Sequence, residues 1–235
     1  QFNGLRVSDD AYWKDFPRAV ASVTPRLLAT DLQARRPFGD WTAYARVQSW
    51  QVLQDDASRI EAPYDRAPQV GLRGTHRAGQ GFEFAFETEL NRFVEPSNGR
   101  GDLLAQARPV GLRWHALGSV ARPFITPGWT VTPRLSLNAA AYSLDEPLGG
   151  RRGLSRTIPT FSVDSQWQLE RETSWFGRDV RQTLEPRLMY VNTPYRTQDA
   201  RLAFDAAPRD FNFESLYAEN AFSGVDRVSD AHQVT

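Results

Sequence analysis

Between Phe82 and Asn91 the chain reads Phe-Glu-Phe-Ala-Phe-Glu-Thr-Glu-Leu-Asn. Successive side chains of an extended strand point to opposite faces, so Phe82, Phe84, Phe86 and Leu90 share one face and Glu83, Glu87 and Glu89 the other. The same period of two recurs along most of the sequence. From Trp129, Val131, Leu135 and Leu137 alternate with Thr132, Arg134 and Ser136. Phe161, Val163 and Trp167 oppose Ser162, Asp164, Gln166 and Glu170, and Leu184 and Leu188 oppose Arg181, Thr183, Glu185 and Arg187. Earlier, Val70 and Leu72 oppose Gln69, Arg73 and Arg77. Ribbons with one apolar and one polar side predict an all-β chain and, as the first hypothesis, an antiparallel transmembrane β-barrel.

Nine strands are expected, at about 20–34, 41–53, 67–78, 82–94, 103–115, 129–143, 157–170, 180–193 and one from about 229. Alternation alone also fits a soluble β-sandwich with Phe82, Phe84 and Phe86 in its core. Length separates the two, because soluble strands usually run to five or six residues and these alternate over about 11 to 14, as a tilted membrane strand requires. Facing is ambiguous at 41–53, which mixes Trp50 with Arg46, and at 103–115, which places Arg108 among Leu104, Val110, Leu112 and Trp114.

Outer-membrane barrels alternate short periplasmic turns with longer external loops. The short links fall near 35–40, 79–81, 116–128 and 171–179, and the long ones near the start to Pro17, at 54–66, 95–102, 144–156 and 194–228. The last, with six aromatics and a short helix near Glu214 to Glu219, is expected as a long outward loop that caps the lumen or packs on itself. Phe38, Trp41, Trp114, Trp129, Trp175 and Phe176 flank the short links. Trp50, Tyr64, Phe93, Tyr142, Tyr190 and Tyr195 lie toward the opposite ends, as two interfacial girdles require. Prolines recur at Pro25, Pro68, Pro109, Pro133, Pro159 and Pro186, and Pro109 and Pro186 are expected to mark bulges or weakened pairing.

A three-residue loop Gly79-Gln80-Gly81 sets Arg77 opposite Glu83 and Arg73 opposite Glu87. A register sum of 351 in the later hairpin pairs Glu170 with Arg181 and Asp164 with Arg187. Arginine facing hydrocarbon near the bilayer midplane costs about 2 to 4 kcal/mol, so Arg73, Arg77, Glu83, Glu87, Glu89, Arg134, Asp164, Glu170, Arg181, Glu185 and Arg187 are expected to face the lumen. Val70, Leu72, Phe82, Phe84, Phe86, Leu90, Val131, Leu135, Leu137, Phe161, Val163, Trp167, Leu184 and Leu188 are expected to face lipid.

Lys plus Arg equals Asp plus Glu, 28 against 28, which leaves no basic field for nucleic acid. No stretch approaches the roughly 18 apolar residues of a membrane helix. Cysteine is absent, which removes thiolate ligands and a cysteine nucleophile. His76, His115 and His232 lack metal-site spacing, and Ser229, Asp230 and His232 alternate faces on a strand and do not converge as a triad. An outer-membrane hydrolase barrel is the alternative these residues would have to serve. No catalytic residue, metal or cofactor is expected. The chain begins at Gln1 and reads as a piece cut from a longer protein.

The last third carries Thr183-Leu184-Glu185-Pro186-Arg187-Leu188, Pro194-Tyr195-Arg196, Asp210-Phe211-Asn212-Phe213 and Phe222-Ser223-Gly224-Val225-Asp226-Arg227-Val228-Ser229-Asp230-Ala231-His232. This series, with Val7-Ser8-Asp9-Asp10-Ala11-Tyr12-Trp13-Lys14-Asp15-Phe16 near the start, resembles the C-terminal barrel domain of the lipopolysaccharide-assembly outer-membrane proteins, the LptD family. The resemblance implies an interior part of a barrel of roughly 26 strands in the Gram-negative outer membrane. It implies lipopolysaccharide and membrane lipid as partners and a lipoprotein plug in the lumen. A periplasmic bridge protein would dock through a domain absent from this sequence.

Overall fold

The computed structural model describes residues 1–12, 26–54, 60–96, 108–198 and 202–235. The expected strand starts at 20 and 103, Pro25, Trp13 to Phe16 and much of the 95–102 link lie outside these residues.

The chain is built almost wholly from strands. β1 (Phe2–Gly4), β2 (Leu27–Phe38), β3 (Trp41–Val52), β4 (Asp65–Arg77), β5 (Glu83–Val94) and β6 (Gly111–Ala121) precede a short β7 (Phe124–Thr126). Then follow β8 (Trp129–Leu148), β9 (Arg151–Trp167), β10 (Leu169–Trp175), β11 (Arg178–Leu184), β12 (Arg187–Thr193), β13 (Ala207–Pro208), β14 (Phe222–Ser223) and β15 (Ala231–Val234). Eleven of them form one sheet in the order β1-β2-β3-β4-β5-β6-β8-β9-β12-β15, with β7 on β8, and this sheet is not closed on itself. β10–β11 and β13–β14 are two-stranded hairpins.

The turns explain the lengths. Phe38 pairs with Trp41 across Gly39-Asp40, where Gly39 adopts φ +56°. The Gly79-Gln80-Gly81 turn is the expected three residues, closed by Ala78 N–H donating to Phe82 O at 2.9 Å. Thr126 pairs with Trp129 across Pro127-Gly128 and Trp175 with Arg178 across Phe176-Gly177.

Three expected links are largely strand. The 116–128 link holds the rest of β6 and all of β7, broken at Arg122-Pro123, where proline lacks a donor, and ended by the Pro127-Gly128 turn. The 171–179 link shrinks to Phe176-Gly177. The 144–156 loop is a hairpin whose two turn residues, Gly149 and Gly150, both have positive φ, the requirement of a primed two-residue turn. Asp145, Glu146, Arg151 and Arg152 had the composition of a loop, yet strand ends that stand in solvent need no apolar face. Pro186 meets its expectation, since the strand is interrupted between β11 and β12. Pro109 does not, because it lies ahead of β6, and Pro159 sits in the middle of β9.

The chain packs as two compact units. The first comprises Gln1–Arg73, Thr88–His115 and Ala141–Ser155. Its core is Leu28, Val52, Leu53, Tyr64, Phe93, Tyr142 and Leu144. The second comprises Gly74–Glu87, Ala116–Ala140 and Arg156–Thr235, and buries Ala140, Ile158, Met189, Val191, Leu202, Phe204 and Val228. Phe93, Tyr64 and Tyr142 are therefore interior packing and not a surface girdle. Phe93 follows the parity of buried Asn91, which sends it to the polar side of the strand. Trp114 lies near the start of β6, away from the Pro127-Gly128 turn it was expected to flank.

Candidate functional site

In the first unit, alternation along β5 sends Glu89, Asn91 and Phe93 to one face, all buried, and alternation along β6 does the same for Arg113 and His115. The Glu89 carboxylate accepts from Tyr44 Oη at 2.8 Å, Gln69 Nε2 at 2.7 Å and Asn91 Nδ2 at 3.3 Å, and faces Arg113 Nη2 at 3.4 Å. Arg113 is 1% exposed and lies flat on the Phe93 ring, 4.7 Å from its centroid, and Tyr64 meets that ring edge-on. Arg108 stacks on Tyr64 at 4.3 Å and pairs with Glu61. A guanidinium this deep is tolerable only because a carboxylate and a π-face compensate its lost hydration. Glu89, expected to face the lumen but given no partner by the register, finds four of them here. Tyr44, Gln69, Asn91 and Arg113 were missed, although the alternation of Gly111, Arg113 and His115 could have placed Arg113 on this face.

In the second unit, Arg187 binds Asp164 through both edges of its fork, Nε to Oδ1 at 3.0 Å and Nη2 to Oδ2 at 2.7 Å. The register of β9 and β12 sums to 353, so Asp164 lies opposite Met189 and the ion pair is diagonal. β10 and β11 share that sum, which places Glu172 opposite Arg181 with Glu170 at 3.6 Å on the diagonal. The expected register of 351 is corrected by two residues. An even slip leaves every side chain on its face, which is why the expected ion pairs survive it.

The long segment after Pro194 packs on this polar face. Asn212 caps α1 (Phe213–Leu216) in a reciprocal box with Ser215, and the helix delivers Tyr217 and Glu219. It is shorter than expected. The Tyr217 ring lies 4.2 Å from the Arg187 guanidinium carbon, and Glu219 accepts from Ser162 Oγ at 2.6 Å with Arg134 Nε at 3.9 Å. Between them is a cavity of about 410 Å3 lined by Arg134, Asp164, Arg187, Arg209, Tyr217 and Glu219.

The Phe222-to-Ser229 motif is the fastening of this segment. Gly224 has φ +68°, and a Cβ there would stand 2.3 Å from Asp205 O. Buried Asp226 accepts from the backbone N–H of Phe204 at 2.7 Å and of Asp205 at 2.9 Å, and Gln198 bridges both backbone groups of Val228. Arg156 bonds Gln198, Asn138 and the Val225 carbonyl. Asp226→Ala leaves one buried and one part-buried N–H group without their acceptor, a loss of about 2 to 3 kcal/mol confined to the segment. Limited proteolysis should cut the variant between 202 and 228 at least tenfold faster than wild type while the strands stay protected.

Among the other expected polar residues, Arg77 and Glu83 form an exposed ion pair at 2.9 Å. Arg134 also donates to Ser119 Oγ at 3.1 Å. Arg73 is exposed and forms no ion pair among the described residues, against the pairing expected for it. Glu185 is exposed in the break beside Pro186. On the opposite face Val70, Phe84, Phe86, Leu90, Leu135, Leu137, Phe161, Leu184 and Leu188 are all at least 38% exposed, and Leu72, Phe82, Val131, Val163 and Trp167 are partly so. Trp129 stacks on Trp167 with centroids 6.3 Å apart and donates to Ser165 Oγ. The described residues contain no metal-holding cluster.

An unclosed antiparallel sheet with one exposed apolar face and one polar face laced with ion pairs is a portion of a β-barrel wall. The whole chain, residues 1–235, matches the profile of LPS transport system D, and it belongs to that family. It is 41% identical over 99% of its length to an LPS-assembly protein LptD of a Polaromonas species, covering 28% of that protein. It is 40% identical to one from Albidiferax ferrireducens, over 98% of the chain and 28% of the relative. One from Alkalilimnicola ehrlichii is 39% identical over 98% of the chain, which covers 30% of it. The chain therefore spans less than a third of the length of these relatives.

Proposed function

We propose that this chain is part of the outer-membrane wall of a machine that delivers lipopolysaccharide to the outer leaflet. The apolar face, including every residue assigned to lipid above, meets hydrocarbon. The polar face, including the charged residues assigned to the lumen, encloses the passing lipopolysaccharide and a lipoprotein plug. A periplasmic bridge protein engages the machine through a domain outside this sequence. The residues here act by fixed charge and shape, and none is assigned a catalytic role. The observation that carries the reading is the sidedness of the strands, which exposes Phe84, Phe86, Leu135 and Leu137 and buries Glu89, Asn91, Arg113, Ser136 and Thr160.

The test is photo-crosslinking in the full-length protein in cells. A photoreactive residue at Thr132 or Gln166, on the polar face, should capture lipopolysaccharide. The same probe at Leu135 or Leu137 should capture phospholipid and little lipopolysaccharide. Equal capture of lipopolysaccharide from both faces would contradict the assignment.

A further inference from the structure

Arg122 is a cation on the apolar face that none of this accounts for. Arg122 N–H donates to Pro133 O, in line with the β7–β8 pairing of Phe124 with Val131 and Thr126 with Trp129. That register places Arg122 and Phe124 on the face of Val131 and Leu135, the side expected to exclude charge. The guanidinium carbon lies 4.8 Å from the Phe124 centroid and 5.2 Å from that of Phe82. Phe82 directly follows the Gly79–Gly81 turn and Phe124 is two residues nearer the Pro127-Gly128 turn than Arg122. The side chain therefore runs along the wall toward the turns, as a long cationic side chain does when it seeks the bilayer interface.

The two rings crowd the guanidinium without using its N–H donors. Among the described residues the Arg122 side chain makes no hydrogen bond and no ion pair. The nearest acid on the adjoining hairpin, Glu83, is on the opposite face and is taken by Arg77. β6 is flanked in the sheet by β5 and β8. β6, which ends one residue before Arg122, therefore has both its neighbours among the strands already described. By contrast Arg92, on the face of Leu90 and Val94, is matched edge to edge by Asp145 at 2.8 and 2.6 Å. A planar fork of donors, desolvated by aromatics at interfacial depth and lacking an anion, fits one oxyanion that a membrane presents there in quantity.

We propose that Arg122, clasped by Phe82 and Phe124, binds the headgroup phosphate of a phospholipid in the leaflet nearest the short turns. This rests on the membrane reading above. Phosphate accepts from the guanidinium edge, the two rings hold the fork in place, and the acyl chains run up the wall over Val120 and Leu135. The contact would hold one annular lipid against the outside of the wall, apart from the lipid being transported.

The experiment uses the full-length protein in detergent, with native mass spectrometry and titrated phosphatidylglycerol. The tightest-bound phosphatidylglycerol should bind Arg122→Gln about tenfold more weakly than wild type, the scale of one lost charge-assisted contact. Arg122→Lys should fall between the two, and Arg36→Gln, at an exposed β2 arginine that shares the face of Leu32 and Phe38 but lies over no ring among the described residues, should match wild type. Millimolar inorganic phosphate should not displace the lipid. Equal affinity in Arg122→Gln, with folding verified by heat-modifiable migration, overturns the site, and so does displacement by inorganic phosphate. If wild type itself binds no phospholipid and stays dispersed without detergent, the membrane reading fails before this site is reached.

Discussion

Glu89→Leu should destabilise the folded barrel by about 3 to 5 kcal/mol, the range for removing one partner from a buried ion pair. The carboxylate is the shared acceptor of Tyr44, Gln69 and Asn91 and the counter-charge of Arg113. Leucine of similar size satisfies none of them, and the guanidinium is too deep to reach water. The interaction is separable from packing by a double-mutant cycle. Arg113→Leu alone should also destabilise, whereas Glu89→Leu with Arg113→Leu should lose less than the sum of the two by about 1 to 3 kcal/mol. Urea titration of the full-length protein, read by loss of the heat-modifiable form, gives all four values. Strict additivity would show that the charges do not act on each other.

Gly111→Val should damage assembly on a comparable scale. A Cβ at this position would lie 2.3 Å from Ser143 O and 2.9 Å from Leu144 Cα, both backbone atoms of β8 that no rotamer change can move. The start of β6 must separate from β8, and with it the Asp145 N–H donation to Val110 O. The expected cost is about 3 kcal/mol or more, above the usual range for overpacking because the obstruction is main chain. Gly118→Ala, seven residues along the same strand, is the control. Its Cβ would meet only the Phe86 ring at 3.8 Å, an ordinary contact, so stability should stay within about 0.5 kcal/mol of wild type. Comparable yields of folded Gly111→Val and wild-type barrel would refute the close approach.

The two hairpins show how far local chemistry carries. Gly79-Gln80-Gly81 announced its own loop length, and the Arg77–Glu83 pair followed from it. Trp175-Phe176-Gly177-Arg178 did not, because a phenylalanine with φ +47° is an uncommon turn residue, and the register came out two residues away. The 144–156 segment was legible as a long link but not as the tip of strands 20 and 17 residues long. The aromatics divide in the same way. Phe84 and Phe86 declared their face by alternating with glutamates. Phe93 lies on the glutamate side of its strand, and only the arrival of Arg113 and Tyr64 from distant parts of the chain explains why.

What the sequence determined alone was sidedness. A period of two is enforced by the covalent geometry of an extended chain, so the division into an apolar and a polar face survives every error in register or strand length that is even. Tertiary structure decided which charges meet. Glu89 finds Arg113 across 24 residues, Tyr217 folds back onto Arg187, and Glu219 reaches Ser162, 57 residues before it. Those partners are selected by the order of strands and the path of one long connection. Neither leaves a periodic trace in the residues themselves.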